Sequence, residues 1–247
     1  MGMLIVVLRK RIGFLLAWAI VAGLVWIIIC RIPFIEVTGL FPTALHDRVI
    51  VLDPGHGGVD PGAHYKGQIL EKDLVLEIAK RTGQFLTNAG AEVIMTRTDD
   101  RDLAPPEIKS LAERKRRDLR ARVELANQAK ADLFLSIHIN SSRDPSKSGV
   151  EVYYSSKPGS KDLAELIEKE SLRYLGKKRL PLPGRYFVLR ETSMPAVLIE
   201  VGFISNPQEK KLLADKRYQE RLGWVIFQGA LHYFEQSRFK ILLNSLK

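Results

Sequence analysis

A single cysteine in 247 residues, Cys30, excludes two classes of protein at once. One thiol builds no disulfide framework and supplies no thiolate cluster for a metal. The chain also has no internal repeat and no low-complexity tract. It carries no helix-turn-helix, zinc-finger or aromatic-basic ribbon pattern, so nucleic acid is not expected as a partner despite a net charge of +10. The basic excess is read instead as attraction to anionic polymers and lipid headgroups.

Charge is missing again from Ile12 to Cys30, a run of 19 residues bracketed by Arg9-Lys10-Arg11 and by Arg31. As a helix it would span roughly 28 Å, close to the thickness of a bilayer's hydrocarbon core, so a transmembrane anchor over residues 12–30 is expected. The basic flank on the amino-terminal side places the N-terminus in the cytoplasm and the remaining domain outside the membrane, a single-pass arrangement. The alternative is a cleaved export signal, which the bulky exit Ile27-Ile28-Ile29-Cys30 disfavours. The expected organisation is therefore a tail and anchor over 1–31, a connector over 32–47, one catalytic domain over 48–236 and a C-terminal tail over 237–247. About 190 residues are ample for one independent core.

Within that domain, short apolar runs end on polar motifs. Val49-Ile50-Val51-Leu52 leads into Asp53-Pro54-Gly55-His56-Gly57-Gly58-Val59-Asp60-Pro61-Gly62, Leu133-Phe134-Leu135 into Ser136-Ile137-His138-Ile139-Asn140, and Ala196-Val197-Leu198-Ile199 into Glu200-Val201-Gly202. These runs are too short for helices and rich in branched residues, so they predict buried parallel strands whose ends share one crevice. The fold class expected is α/β, a single domain with a twisted, mostly parallel central sheet flanked by helices. Amphipathic spacing predicts helices over Asp73–Asn88, Lys161–Leu175 and Lys216–Phe234, with further strands at Glu92–Arg97 and Val150–Tyr154. Between Asp99 and Asn127 charge dominates. There Pro105-Pro106 opens a basic helix carrying Arg114-Lys115-Arg116-Arg117 and Arg120, read as a solvated face, with contact to anionic surfaces as the alternative.

His56, Glu71 and His138 form the ligand set of hydrolytic zinc, two imidazoles and a carboxylate that leave a coordination position for water. Glu200 is a second carboxylate, free to manage that water's protons. Glycines 55, 57, 58 and 62 let the His56 loop turn sharply and let a bulky substrate approach. Asp53 or a backbone carbonyl is expected to hold the second ring nitrogen of His56. His46, His64 and His232 lack such a context and are read as surface or core residues.

These motifs, with Ala126-Asn127-Gln128-Ala129, Tyr186-Phe187-Val188-Leu189-Arg190, Met194-Pro195-Ala196 and Ser205-Asn206-Pro207, resemble the type 3 family of zinc-dependent N-acetylmuramoyl-L-alanine amidases from about residue 48 to 236. The short, membrane-tethered form is similar to the spore-cortex subgroup. The resemblance implies hydrolysis of the amide between the lactyl group of muramic acid and L-alanine of the peptidoglycan stem peptide. It also implies one Zn²⁺ held by His56, Glu71 and His138, and Glu200 as general base. Arg190 is expected at the tetrahedral oxyanion or at an acidic stem-peptide group, with an ion pair to Glu200 as its alternative role, and Asn140 in the cleft. Only a short turn from Ser155 to Ser160 follows Tyr154, too short for the inhibitory helical insertion of some division amidases, so an open cleft is expected. Peptidoglycan is the expected partner, and the resemblance leaves room for an activating partner protein. The rival readings are an exported zinc peptidase or carboxypeptidase and a non-catalytic wall-binding protein.

Overall fold

The computed structural model describes Trp18 and residues 45–65, 69–176 and 179–245. The expected anchor at 12–30 lies outside the described residues except for Trp18, as does most of the connector. Among the described residues no helix is long and apolar enough to cross a membrane. The elements named here all belong to the compact unit that begins at residue 41.

Six strands form one sheet: β1 (Val49–Pro54), β4 (Glu92–Met95), β5 (Leu133–Asn140), β6 (Glu151–Tyr154), β7 (Leu182–Pro183) and β8 (Ala196–Phe203). A two-stranded hairpin, β2 (His64–Tyr65) and β3 (Ile69–Leu70), stands apart. The sheet order is β4-β1-β5-β8-β6-β7, with β1, β4, β5 and β8 mutually parallel and β6 antiparallel to β8. The expected mostly parallel sheet is thus present, with one antiparallel pair. The chain runs from β1 outward to β4 and then back across to β5. The crevice between the carboxyl ends of β1 and β5 is therefore a topological switch point, where open α/β sheets collect their ligands.

Every residue of β8 and most of β5 is buried, because helices cover both faces. On one face Ile50, Leu52, Leu133, Leu135, Val197 and Ile199 pack under α1 (Glu71–Asn88), α3 (Ser160–Leu175) and α6 (Lys216–Ser245). On the other, Val51, Phe134, Ala196 and Leu198 meet Val123 and Ala126 of α2 (Leu111–Gln128) and Val188 and Leu189 of α4 (Phe187–Glu191). A sixth helix, α5 (Pro207–Leu213), is capped by the Asn206 side chain, which accepts from the backbone of Gln208 and Glu209.

Two boundaries depart from expectation. Helix α2 starts at Leu111 with Ser110 as its N-cap, not at the two prolines. Helix α6 runs on to Ser245, so the expected tail from 237 is helical for most of its length. The basic stretch is also not uniformly solvated: Asp118 and Arg122 of α2 are buried. Local composition marks such a helix as polar, but only the fold determines which of its charges meet partners inside.

Candidate active site

Alternation along the strands decides which side chains reach the cleft. In β1, β5 and β8 the residues two and four positions beyond the apolar anchors of the α2 face are Asp53, Ser136, His138 and Glu200. A period of two therefore carries His138 and Glu200 to the same face, and the strand register places them side by side. A bulge follows, between His138 and Asn140, and ends the pairing at the cleft's edge.

The loop after β1 brings in His56. Its backbone lies in the left-handed region, φ 61°, a conformation that a residue with a side chain adopts at a cost of about 1–3 kcal/mol. Two buried arginines hold it there. Arg122 donates to the carbonyls of Pro54 and His56, and Arg97 donates to those of Pro54, Gly55 and Lys72. A tight turn then pairs Gly57 with Asp60 and returns Asp60 to the imidazole. Asp60 Oδ2 is 3.0 Å from His56 Nδ1, at ion-pair distance though out of line for a hydrogen bond. This corrects the expected role of Asp53. Its carboxylate instead accepts from Thr96, Ser136 and Arg122, all within the buried layer.

Glu71 arrives from the opposite side. The β2–β3 hairpin runs directly into α1, which makes Glu71 its first residue, where the positive end of the helix favours a carboxylate. Oε1 lies 3.2 Å from His56 Nε2 and 3.0 Å from His138 Nδ1, and accepts from the Ile139 amide at 2.9 Å. Oε2 accepts from the Ala63 amide at 2.7 Å. The two rings meet edge to face, their centroids 4.9 Å apart. One donor atom from each of His56, Glu71 and His138 falls within 4.8 Å of the others, a group able to hold a metal ion. The donor chemistry fits zinc: a carboxylate beside Nδ1 of His56 favours a proton on that nitrogen and so directs the lone pair of Nε2 inward. Space fits as well, since a Cβ on Gly55 would lie 2.2 Å from the His138 ring and one on Gly62 would lie 2.5 Å from Glu71 Oε2.

Burial works against charge on His56, but Asp60 and Glu71 outweigh it and raise the imidazole to about 9. Burial likewise opposes charge on Glu71, yet the two imidazoles hold its carboxyl far below the usual range. Glu200 is the opposite case. Burial pushes its carboxyl up to about 7, and the charges of Glu71 and Glu151 add to that against the pull of His138 and His56. Its Oε2 is buried without a hydrogen-bond partner.

The cleft around these groups has a volume of about 360 Å³ and is lined in part by Asn140, Tyr186 and Phe187. Asn140 is tied down through Nδ2 to Glu151 Oε2 at 2.9 Å, and Glu151 is paired in turn with Arg179. Arg190 does not line the cleft. Its side chain is exposed, stacks over Phe187 and contacts Glu191, so neither an oxyanion role nor a pair with Glu200 fits its position. A five-residue helix turns it outward while Val188 and Leu189 face the core. Of the other histidines, His46 sits beside Asp47, His64 is exposed in β2, and His232 contacts the buried Glu170. Sequence reasoning missed Asp60, Arg97 and Arg122. Asp60 stood within the glycine-rich motif, whereas nothing local distinguishes a buried arginine from a solvated one.

A mostly parallel α/β sheet with two imidazoles and a carboxylate gathered at its switch point is a layout suited to a metal-dependent hydrolase. The sequence matches the N-acetylmuramoyl-L-alanine amidase family over residues 50–232, and the chain belongs to that family. It is 42% identical over 196 residues to the germination-specific N-acetylmuramoyl-L-alanine amidase of Bacillus subtilis, covering 78% of this chain and 82% of that protein. Among solved structures it is similar to the CwlD amidase of Clostridioides difficile, determined in complex with the GerS lipoprotein. That match has a TM-score of 0.74 and 35% identity over 76% of this chain and 99% of the other. The catalytic domain of CwlV from Bacillus (Paenibacillus) polymyxa superposes with a TM-score of 0.67 at 35% identity, covering 76% and 98% of the two chains.

Proposed function

We propose that His56, Glu71 and His138 hold one zinc ion and that Glu200 is the general base of an amidase cutting between the lactyl group of muramic acid and L-alanine of the stem peptide. The observation that carries this reading is the convergence of the three donors beside a buried, unpartnered carboxylate. When bound, zinc supplies positive charge that eases deprotonation of water and polarises a carbonyl. Glu200 takes the proton as the water oxygen adds to the lactyl carbonyl carbon. It then returns that proton to the alanine nitrogen as the C–N bond breaks, leaving a lactyl carboxylate and a free peptide amine. A carboxyl raised to about 7 is matched to both halves of this exchange. Asp60 keeps the His56 ring oriented, and Asn140, anchored on Glu151, shapes the cleft wall.

The test is product analysis. Purified zinc-loaded protein incubated with peptidoglycan should release stem peptides bearing an N-terminal alanine and leave muramic acid with a bare lactyl group, both read by mass spectrometry. Fragments cut within the peptide would establish the peptidase reading instead, and metal content of one zinc per chain with no product from any wall would establish a binding protein.

The spore cortex is the proposed setting, supported by the likeness to a germination-specific amidase. An apolar run of 19 residues between basic flanks supports anchoring through residues 12–30 with the catalytic domain outside the membrane. An activating partner protein is supported by the neighbour solved with a lipoprotein. Assay on cortex and vegetative wall, with and without membrane extract, tests the first and third. Protease protection of the N-terminus in sealed vesicles tests the second.

A further inference from the structure

Five carboxylates, Asp53, Asp60, Glu71, Asp118 and Glu200, line the cleft, and the stem peptide of the amidase reading carries carboxylates of its own. Like charges repel, so an acidic ligand needs a cation in the wall to offset them. Apart from the histidines, the cationic side chains lining the cleft are Arg122 and Lys115. Arg122 is fully engaged: Nε with Asp118, Nη1 with Asp53 and the Pro54 carbonyl, Nη2 with the His56 carbonyl. Lys115 is not. Its side chain is 61% exposed and makes a loose contact of 3.4 Å with Asp60 Oδ2.

Position strengthens the case. Lys115, Asp118 and Arg122 recur on one face of α2 at helical spacing, the face that looks into the cleft. Lys115, Asp60 and Asp118 also line an adjoining groove of about 200 Å³, whose other walls are Val59, Pro61, Leu111 and the ion-paired Asp102 and Arg114. Val59 and Leu111 are exposed apolar side chains. A chain leaving the metal cleft along this groove would meet apolar side chains and an arginine already paired with Asp102, with the loosely held ammonium of Lys115 at the junction. The lactyl-sugar side of the substrate carries no charge that needs such a partner, whereas the peptide side does.

We infer that Lys115 is a specificity-determining residue that receives a carboxylate of the stem peptide where the cleft opens into the groove beside α2. The inference rests on the amidase reading. It assigns to Lys115 the acidic-group contact expected of Arg190, which the fold turns away. Asp60 is the resting partner of the ammonium, and an incoming carboxylate competes for it.

The experiment uses the full zinc-loaded chain and two probes: an N-acetylmuramoyl-L-alanyl-glutamate with free carboxylates and the same compound with both carboxylates amidated. Wild-type protein should favour the acidic probe. Lys115→Ala should raise KM for that probe by roughly tenfold or more, the scale of a lost charge-assisted contact, and shift the amidated probe far less. Lys115→Arg should restore the preference. An equal loss on both probes would overturn the inference, because it would mark Lys115 as a support for Asp60 and His56 only. So would unchanged discrimination. If wild-type protein releases peptide neither from the probes nor from intact peptidoglycan, it is the amidase reading that fails, and the inference falls with it.

Discussion

Two clusters of charge lie on the same face of the sheet, a few residues apart along the same strands, and they are built in opposite ways. In the first, Asp53 accepts from Thr96, Ser136 and Arg122, and Arg122 spends its remaining donors on Asp118 and backbone carbonyls. Every strong donor meets an acceptor. In the second, Glu71, His56 and His138 present donor atoms to one another, and Glu200 has a buried oxygen with no partner. A saturated buried network rigidifies; one left with unused valence is poised for a metal, a proton or a substrate. The first cluster is thus the brace for the second, since Arg122 also grips the carbonyl of the left-handed His56.

That contrast gives a ranked set of expectations. The largest effect should follow His138→Ala, which removes a ligand: metal analysis should find zinc lost together with activity. Glu200→Gln should separate the two properties, retaining one zinc per chain while turnover drops by about 10²–10⁴-fold. Full activity in that variant would strike Glu200 from the mechanism. On the brace, Arg122→Ala leaves Asp53 buried without its cation, so denaturant titration should show a loss of about 3–5 kcal/mol. Activity should fall as well, through the His56 loop.

The pH profile sharpens the same comparison. A general base must be ionised, and Glu200 sits at about 7 before the charge of a metal draws it lower. Turnover should therefore fall about tenfold per pH unit on the acid side of a midpoint at or below 7. In Glu200→Gln that dependence should flatten. The smallest effect is reserved for Arg190→Ala, which should change turnover by less than about twofold, since surface positions outside a site seldom matter. A larger loss would return Arg190 to the cleft.

The strands that carry the site were legible because each is a short branched run ending in a polar motif, and burial on both faces leaves little else such a run can form. His56, His138 and Glu200 could be gathered from sequence for the same reason, each following a short branched apolar run, whereas Glu71 came from the family resemblance. What could not be read depends on contacts across great chain separations. Arg122 meets Asp53 from 69 residues away, and in sequence it is one more cation in a charged helix. The substitution of Asp60 for Asp53 beside His56 turned on a tight turn at Gly57, a matter of backbone angle. Arg190 failed for a simpler cause, because one residue's rotation around a short helix sends a side chain to the opposite side.

Gly55 bears on how the protein would take up the proposed ion. The His138 ring occupies the volume that any side chain at position 55 would claim, and Glu71 closes in from the other side. The imidazole is thereby wedged between backbone and carboxylate. Capture of the proposed ion would then cost little ordering entropy, and selection among metals would fall to the span between the donors. Gly55→Ala offers a switch of one methyl group: it would displace the ring, and a folded but metal-poor protein is the expected result.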